Sequence, residues 1–331
     1  MSAAKVLSVD ASALSSVDFN SYIATFFATL AKQSTLFYGG TPDIAYGSAY
    51  NVSGSQVLNT YTEDGAASDQ VVLIEGADIA YDFMHYGSSY GHGISGEVDT
   101  LVFGTWVEGV TTGTEGIGAE GEVTGLEAGL VIDGLDLSAA AGSGSDVTTN
   151  DVYGVYKAMQ NLDAEYLYDL FAEYAIEFTG TSGDDSVQGY AHADVLMGGA
   201  GDDQLSGGAG RDVLIGGAGD DTLFGNAGAD ELRGGTGDDR LSGGLGRDVL
   251  YGGSGADTFV IRKVGTVTDI DIIADFDIAE DVLSLRQFGL SGLDAVTVTE
   301  TEDYLDLTFG AQTVRLEGLT AADLDAATLL F

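Results

Sequence analysis

Between residues 180 and 260 one apolar side chain returns every ninth position, as Val187, Leu196, Leu205, Leu214, Leu223, Leu232, Leu241, Leu250 and Phe259. That period fits neither a helical face nor simple strand alternation. Each apolar residue is preceded by a glycine-rich stretch, with the units opening at Gly180, Gly189, Gly198, Gly207, Gly216, Gly225, Gly234, Gly243 and Gly252. A six-residue turn followed by a three-residue strand accounts for the spacing, and two units make one coil of a parallel solenoid. The eighth-position side chains then point inward and stack as its core. A Gly/Asp linker has no reason to hold an apolar residue at every eighth position.

On either side the pattern changes. Residues 1–178 hold nearly all the helical periodicity. Asp18 is placed to cap an amphipathic helix with Tyr22, Ile23, Phe26, Phe27 and Leu30 on its apolar face. The runs Gln70-Val71-Val72-Leu73-Ile74 and Thr100-Leu101-Val102-Phe103 read as strands. Gly-rich turns are expected at 113–121 and 139–144. Two helices are predicted to close the zone, one at 151–160 and one capped by Asp163 with Leu167, Leu170, Phe171 and Tyr174 on one face. The zone is α+β, a β-rich middle flanked by helices. Residues 261–331 lack the glycine repeat but alternate as strands at 269–276 and 304–309, which suits a β-rich cap over the last coil. The predicted organisation is therefore 1–178, a roll at 179–260, and a C-terminal cap at 261–331.

The sixth position of every unit is an aspartate: Asp185, Asp194, Asp203, Asp212, Asp221, Asp230, Asp239, Asp248 and Asp257. Alternate units turn on the same edge, so the aspartates form two rows, and stacked turns offer paired carboxylates and glycine carbonyls. Such hard oxygens suit Ca²⁺, which takes six to eight of them. The turn at 189–194 departs most, because His192 replaces the fourth-position glycine.

A second pattern, repeating every two units, overlies the nonapeptides. Outward positions seven and nine are apolar on one sheet (Val195/Met197, Val213/Ile215 and Val249/Tyr251, interrupted by Glu231/Arg233). On the other they are mostly polar, at Gln204/Ser206, Thr222/Phe224 and Arg240/Ser242. Contiguous outer apolar residues mark a contact, so Val195, Met197, Val213 and Ile215 are expected to be covered.

Charge strengthens the metal reading. The 331 residues include 53 acidic and 11 basic side chains, a net charge of −42. Nucleic acid and anionic membranes would be repelled, and compaction is opposed unless cations neutralise the chain. There is no cysteine to form a disulfide. The N-terminus has no basic-then-apolar secretory signal, and the apolar run at 23–31 is too short to span a bilayer. No membrane insertion is expected.

The nine G-G-x-G-x-D-x-U-x units resemble the RTX calcium-binding β-roll without a break from Gly180 to Val260. The acidic-then-apolar end, Asp325-Ala326-Ala327-Thr328-Leu329-Leu330-Phe331, resembles the uncleaved signal of type I secretion substrates. Together these imply a secreted protein, extracellular or at the cell surface, which meets the type I secretion machinery and binds calcium.

Segments across residues 18–178 resemble the HasA-type haemophores: Ser21-Tyr22-Ile23, Ser53-Gly54-Ser55-Gln56, Ile79-Ala80-Tyr81-Asp82-Phe83-Met84, the run at 96–104, Val131-Ile132-Asp133-Gly134-Leu135-Asp136-Leu137-Ser138, and Val152-Tyr153-Gly154. The resemblance implies haem held by Tyr81, with His92 hydrogen-bonding the phenol and favouring its anion. His85, Tyr86 and Tyr90 lie between these two, in a stretch about three residues longer than the family's. The opposite loop at 32–46 has no histidine, which leaves Gln33 as the coordinating side chain there, with Tyr153 and Tyr156 lining the pocket. An outer-membrane haem receptor is the implied partner.

No enzyme is expected. There is no H-E-x-x-H and no phosphate loop. Gly87-Ser88-Ser89-Tyr90-Gly91 fits G-x-S-x-G by letter, yet no helical pattern follows it. Two functions remain open: a secreted haem-binding RTX protein, or a structural or adhesive RTX protein of the surface or matrix that does not bind haem.

Overall fold

The computed structural model describes residues 5–38, 53–81, 94–106, 126–140, 145–263, 269–325 and 328–331. These form two compact units, Lys5–Ala13 with Ser21–Phe171, and Leu14–Asn20 with Ala172–Phe331.

The first unit is built on an antiparallel sheet. Its strands are β1 (Val6–Asp10), β2 (Leu30–Tyr38), β3 (Ser53–Glu63), β4 (Ala66–Tyr81), β5 (Ile94–Trp106) and β6 (Leu126–Asp133), in the order β2-β3-β4-β5-β6-β1. The short β7 (Leu137–Ala139) also pairs with β5. Val71, Val72, Leu73 and Ile74 are all buried, which explains why this run is continuously apolar rather than alternating. Leu58, Val71, Leu73 and Val102 form one buried cluster. Phe27 packs near Tyr61 and Phe103, with ring centroids 5.9 and 6.1 Å away.

The helices follow the sequence with two corrections, at Leu30 and at Tyr174. α1 (Phe19–Phe27) ends before Leu30, which opens β2 instead of completing the helical face. A tightened Ala28 N–H to Thr25 carbonyl bond closes the helix there. α2 (Asp151–Asn161) is capped by Asn150, whose side chain accepts from the Tyr153 N–H. Leu162 stops it in the left-handed conformation. α3 (Ala164–Phe171) starts after Asp163, which accepts from the Tyr166 N–H at 3.2 Å. Tyr174 falls beyond its end, buried.

The second unit is the roll, and its parallel registers advance by two nonapeptides at each step. One sheet stacks β8 (Ala175–Thr179), β10 (Val195–Ala200), β12 (Val213–Ala218), β14 (Glu231–Thr236) and β16 (Val249–Ser254). The other stacks β9 (Ser186–Gln188), β11 (Gln204–Gly210), β13 (Thr222–Gly228), β15 (Arg240–Leu245) and β17 (Thr258–Val260). Leu196 pairs with Leu214 and Leu214 with Leu232, and all nine eighth-position side chains are buried. Most strands are longer than the expected three residues. The second and third turn positions pair as well, Gly199 with Gly217 and Ala200 with Ala218.

Pairing also runs past both ends of the repeat. Phe178 on β8 precedes the first eighth-position residue in the stack. Beyond residue 260, β18 (Ile270–Ile273) joins β16 and β19 (Val282–Ser284) joins β17, both parallel. Here the coil lengthens: Leu250 pairs with Ile273 and Phe259 with Leu283, each farther along the chain than two nonapeptides reach. An antiparallel ribbon of β20 (Thr297–Glu300), β21 (Tyr304–Phe309) and β22 (Gln312–Glu317) then follows, with β22 parallel to β18. β23 (Thr328–Leu330) continues the other sheet on β19.

The outer apolar stripe is not covered as expected. Met197 is exposed, and Val195, Val213 and Ile215 are half-buried, as is Ser206 on the polar sheet. Valine and isoleucine at these positions suit any pleated surface, whether or not something lies on it.

Candidate metal centre

The turn carboxylates form two continuous ladders. On one edge the backbone N–H of Asp185 donates to Oδ1 of Asp203 at 2.8 Å. The same bond links Asp203 to Asp221, Asp221 to Asp239, and Asp239 to Asp257. On the other edge Asp194 donates to Asp212, Asp212 to Asp230, and Asp230 to Asp248, at 2.9 to 3.0 Å. All nine are buried.

The ladders do not stop with the motif. Asp248 donates to Oδ1 of Asp271 at 3.2 Å and Asp257 to Oδ1 of Asp281 at 2.9 Å. Both acceptors are buried. Sequence reading missed them because the coil lengthens there and the glycines disappear. The one available signal was an aspartate just before, or one residue into, an alternating strand.

A third row lies outside the first edge. Asp202, Asp220, Asp238 and Ala256 donate their N–H groups back to Asp184, Asp202, Asp220 and Asp238, at 2.8 to 2.9 Å. These fifth-position aspartates are exposed. The second edge carries Arg211 and Arg247 at that position, so negative charge is concentrated on one side of the roll.

The fit to a cation is read from what the buried carboxylates lack. The Oδ2 atoms of Asp203, Asp212, Asp221, Asp230, Asp239 and Asp248 are buried without a hydrogen-bond partner. A buried anionic oxygen in that state is costly unless a cation meets it. Burial, with help from neighbouring aspartates, raises Asp203, Asp212, Asp239 and Asp271 to about 7 and Asp221, Asp248 and Asp257 to about 6. The same burial pushes Asp194, Asp230 and Asp281 upward.

The first-position glycines leave room for such an ion. A Cβ on Gly234 would sit 2.2 Å from Oδ2 of Asp239 and 2.6 Å from the Gly252 carbonyl oxygen. A carboxylate oxygen and a carbonyl of the next coil thus converge on one small space. Among the described residues, no three Asp, Glu or His side chains gather as a ready cage. The balance of an oxygen shell would therefore come from carbonyls, which suits Ca²⁺.

The residues implied for haem are placed less completely. Tyr81 ends β4 and pairs through its backbone with Ile94; its side chain lies outside the described residues, as do His92 and the 82–93 segment. Gln33 is exposed, at an irregularity in the β2–β3 register between Lys32 and Ser34. Tyr153 and Tyr156 are half-buried on α2 with ring centroids 6.2 Å apart.

Comparison with known proteins identifies the repeat. Residues 177–205, 197–232 and 224–259 match the family model described as RTX calcium-binding nonapeptide repeat (4 copies). Among solved structures, the crystal structure of the extracellular lipase LipA from Serratia marcescens is 19% identical over 47% of this chain, with a TM-score of 0.24. The chain covers 40% of that lipase. The solution structure of the AlgE6R3 subunit from the Azotobacter vinelandii mannuronan C5-epimerase is 24% identical over 46% of this chain and 81% of its own length, with a TM-score of 0.22. No curated protein matches the chain. The chain therefore carries RTX calcium-binding repeats folded as a parallel β-roll, an assignment that rests on the family match and the chain's own strand registers. Among the described residues no helix is long and apolar enough to cross a membrane.

Proposed function

We propose that this chain acts outside the cell as a calcium-dependent binding protein, with aspartates of the repeat holding Ca²⁺ along both edges of the roll. The observation that carries the reading is the set of buried Oδ2 atoms without partners. The bound ion supplies the positive charge that a chain of net charge −42 lacks. Asp203, Asp221 and Asp239 on one edge, and Asp212, Asp230 and Asp248 on the other, would present Oδ2 to it, while Oδ1 stays fixed by the ladder bond. The glycine carbonyls would complete the shell. Where calcium is scarce the aligned carboxylates repel and the roll stays expanded. Where calcium is millimolar the folded form is favoured, because only it assembles the ligands. That behaviour suits a chain that folds after export. Circular dichroism of the full chain in EGTA, then with millimolar Ca²⁺, tests the reading. β-content should rise on calcium addition; equal content in both conditions would sink it.

For the first unit the reading is haem binding through Tyr81 assisted by His92, with capture of haem as a binding rather than a catalytic role. The supporting observation is the backbone pairing of Tyr81 with Ile94, a residue two positions after His92 in the sequence. Tyr81→Phe removes the ligating oxygen and keeps the ring. Hemin added to wild type should give a sharpened Soret band that Tyr81→Phe loses. If wild type gives none, the structural or adhesive reading stands in its place.

A further inference from the structure

The first turn on each edge is built differently from those that follow. In turns three to nine the second position takes a positive φ: Gly199 at 114°, Gly208 at 105°, Gly217 at 121°, Asn226 at 73°, Gly235 at 124°, Gly244 at 113° and Gly253 at 103°. In turns one and two that position is Thr181 or Tyr190, and neither has a positive φ. The peptide orientation changes with it. The Thr181 N–H points into its own turn and donates to Oδ2 of Asp185 at 2.6 Å. The Tyr190 N–H does the same to Oδ2 of Asp194 at 2.8 Å. These are the oxygens left without partners in Asp203, Asp212, Asp221, Asp230, Asp239 and Asp248.

The other oxygens of the two first aspartates are closed too. Oδ1 of Asp185 accepts from the Val17 N–H at 2.6 Å and from the Thr181 hydroxyl at 3.0 Å. Oδ1 of Asp194 accepts from the Ile176 N–H at 2.7 Å. At the far end of the first edge, Asp281 is satisfied in the same manner by the Asp257 and Asp277 N–H groups, at 2.9 and 2.8 Å. N–H donors on both oxygens offset part of the cost of burying a carboxylate and occupy the lone pairs a metal would need. An inward N–H also directs the positive end of its dipole at the place a cation would take.

We propose that Asp185, Asp194 and Asp281 are metal-free end caps, and that the cation rows begin at Asp203 on one edge and Asp212 on the other. This inference rests on the calcium reading of the rows. Position two is the residue that decides: glycine or asparagine there turns the N–H away and frees Oδ2, whereas Thr181 and Tyr190 keep it closed. The caps end each ladder with groups that are already paired, as terminal units of a solenoid must.

Equilibrium dialysis of the full-length chain against Ca²⁺, counting ions bound per chain at saturation, tests the proposal. Asp212→Asn and Asp221→Asn should each lower the count by at least one. Asp185→Asn and Asp194→Asn should leave it unchanged and show their effect only as a lower melting temperature. The converse pair, Thr181→Gly with Tyr190→Gly, should raise the count, because it reopens both Oδ2 atoms; it also keeps the proposal testable if the aspartate variants fold poorly. A loss of ions in Asp185→Asn or Asp194→Asn equal to that in Asp212→Asn would overturn the cap assignment. An unchanged count in the glycine pair would overturn the role of position two. A wild-type chain that binds no calcium would instead refute the underlying reading.

Discussion

The two units solve the problem of a stable interior in opposite ways. In the antiparallel unit the buried polar side chains among the described residues are neutral: Gln56, Asn59, Thr60, Ser95 and Asn150. Its core is aliphatic and aromatic, and hydrogen bonds such as Gln160 Nε2 to Asn59 Oδ1 at 3.2 Å serve what polarity it holds. The roll instead buries eleven aspartates beside two stacked files of apolar side chains, one on each sheet. One interior leaves a neutral amide group, Asn59 Nδ2, short of a partner but no carboxylate oxygen among the described residues. The other is complete only with an added cation, so its stability depends on the medium.

The sharpest way to separate them is pH in the absence of calcium. The roll carboxylates are raised to about 6 to 7 in the folded state against an ordinary value of 3.8. Ionisation therefore costs more in the folded form than in the unfolded one, and stability is lost as pH rises through that range. In EGTA the roll should gain β-structure as pH falls from 8 to 5, followed by circular dichroism. With calcium present the direction reverses, since protons compete for the same oxygens and affinity should drop below about pH 7. A metal-free roll that is more stable at pH 8 than at pH 5 would break the contrast.

Core truncation tests it next. Leu214→Ala removes one fully buried member of the stack and should cost about 3 kcal/mol, read in denaturant as loss of the calcium-dependent transition only. Leu73→Ala, in the antiparallel cluster, should cost a similar amount on a transition that EGTA does not move. Glycine replacement should discriminate further. A Cβ on Gly235 would lie 2.1 Å from the Gly217 carbonyl oxygen at a φ of 124°, so Gly235→Ala should cost roughly 2 kcal/mol or more by thermal melting. Gly65 has a φ of 80° but nothing within 4 Å, and Gly65→Ala should cost about 1 kcal/mol. The smallest effect belongs to the outer stripe: Val213→Thr with Ile215→Thr, both half-buried, should change stability by about 0.5 kcal/mol or less. Sedimentation that shifts with this pair would show that the stripe is a contact after all.

How far the sequence could be read differs between the units for the same physical reason. In the roll a fixed two-unit step sets every register, so the burial of Leu196 through Leu250 and the Asp203–Asp221 ladder followed from counting. The count failed where the step failed: Asp271 and Asp281 lie on the lengthened coils that pair Leu250 with Ile273 and Phe259 with Leu283. The closed first turns were visible in the letters, as Thr181 and Tyr190 in place of glycine. Their meaning needed the direction of an N–H, which spacing does not report. In the antiparallel unit the run at 70–74 was legible because burial on both faces makes it continuous. Leu30 was not, because one apolar residue fits the end of a helical face and the start of a strand equally well. The haem set was implied only through resemblance, since no local pattern in the sequence links Tyr81 with His92.

Hydrogen–deuterium exchange of the full chain, with EGTA and then with millimolar Ca²⁺, tests the central claim most directly, because it reads both units in one experiment. The account predicts that amides of the roll from Val195 to Phe259 exchange freely in EGTA and become protected with calcium, while those of Val71 to Ile74 are protected in both. Roll amides equally protected in EGTA and in calcium would contradict it.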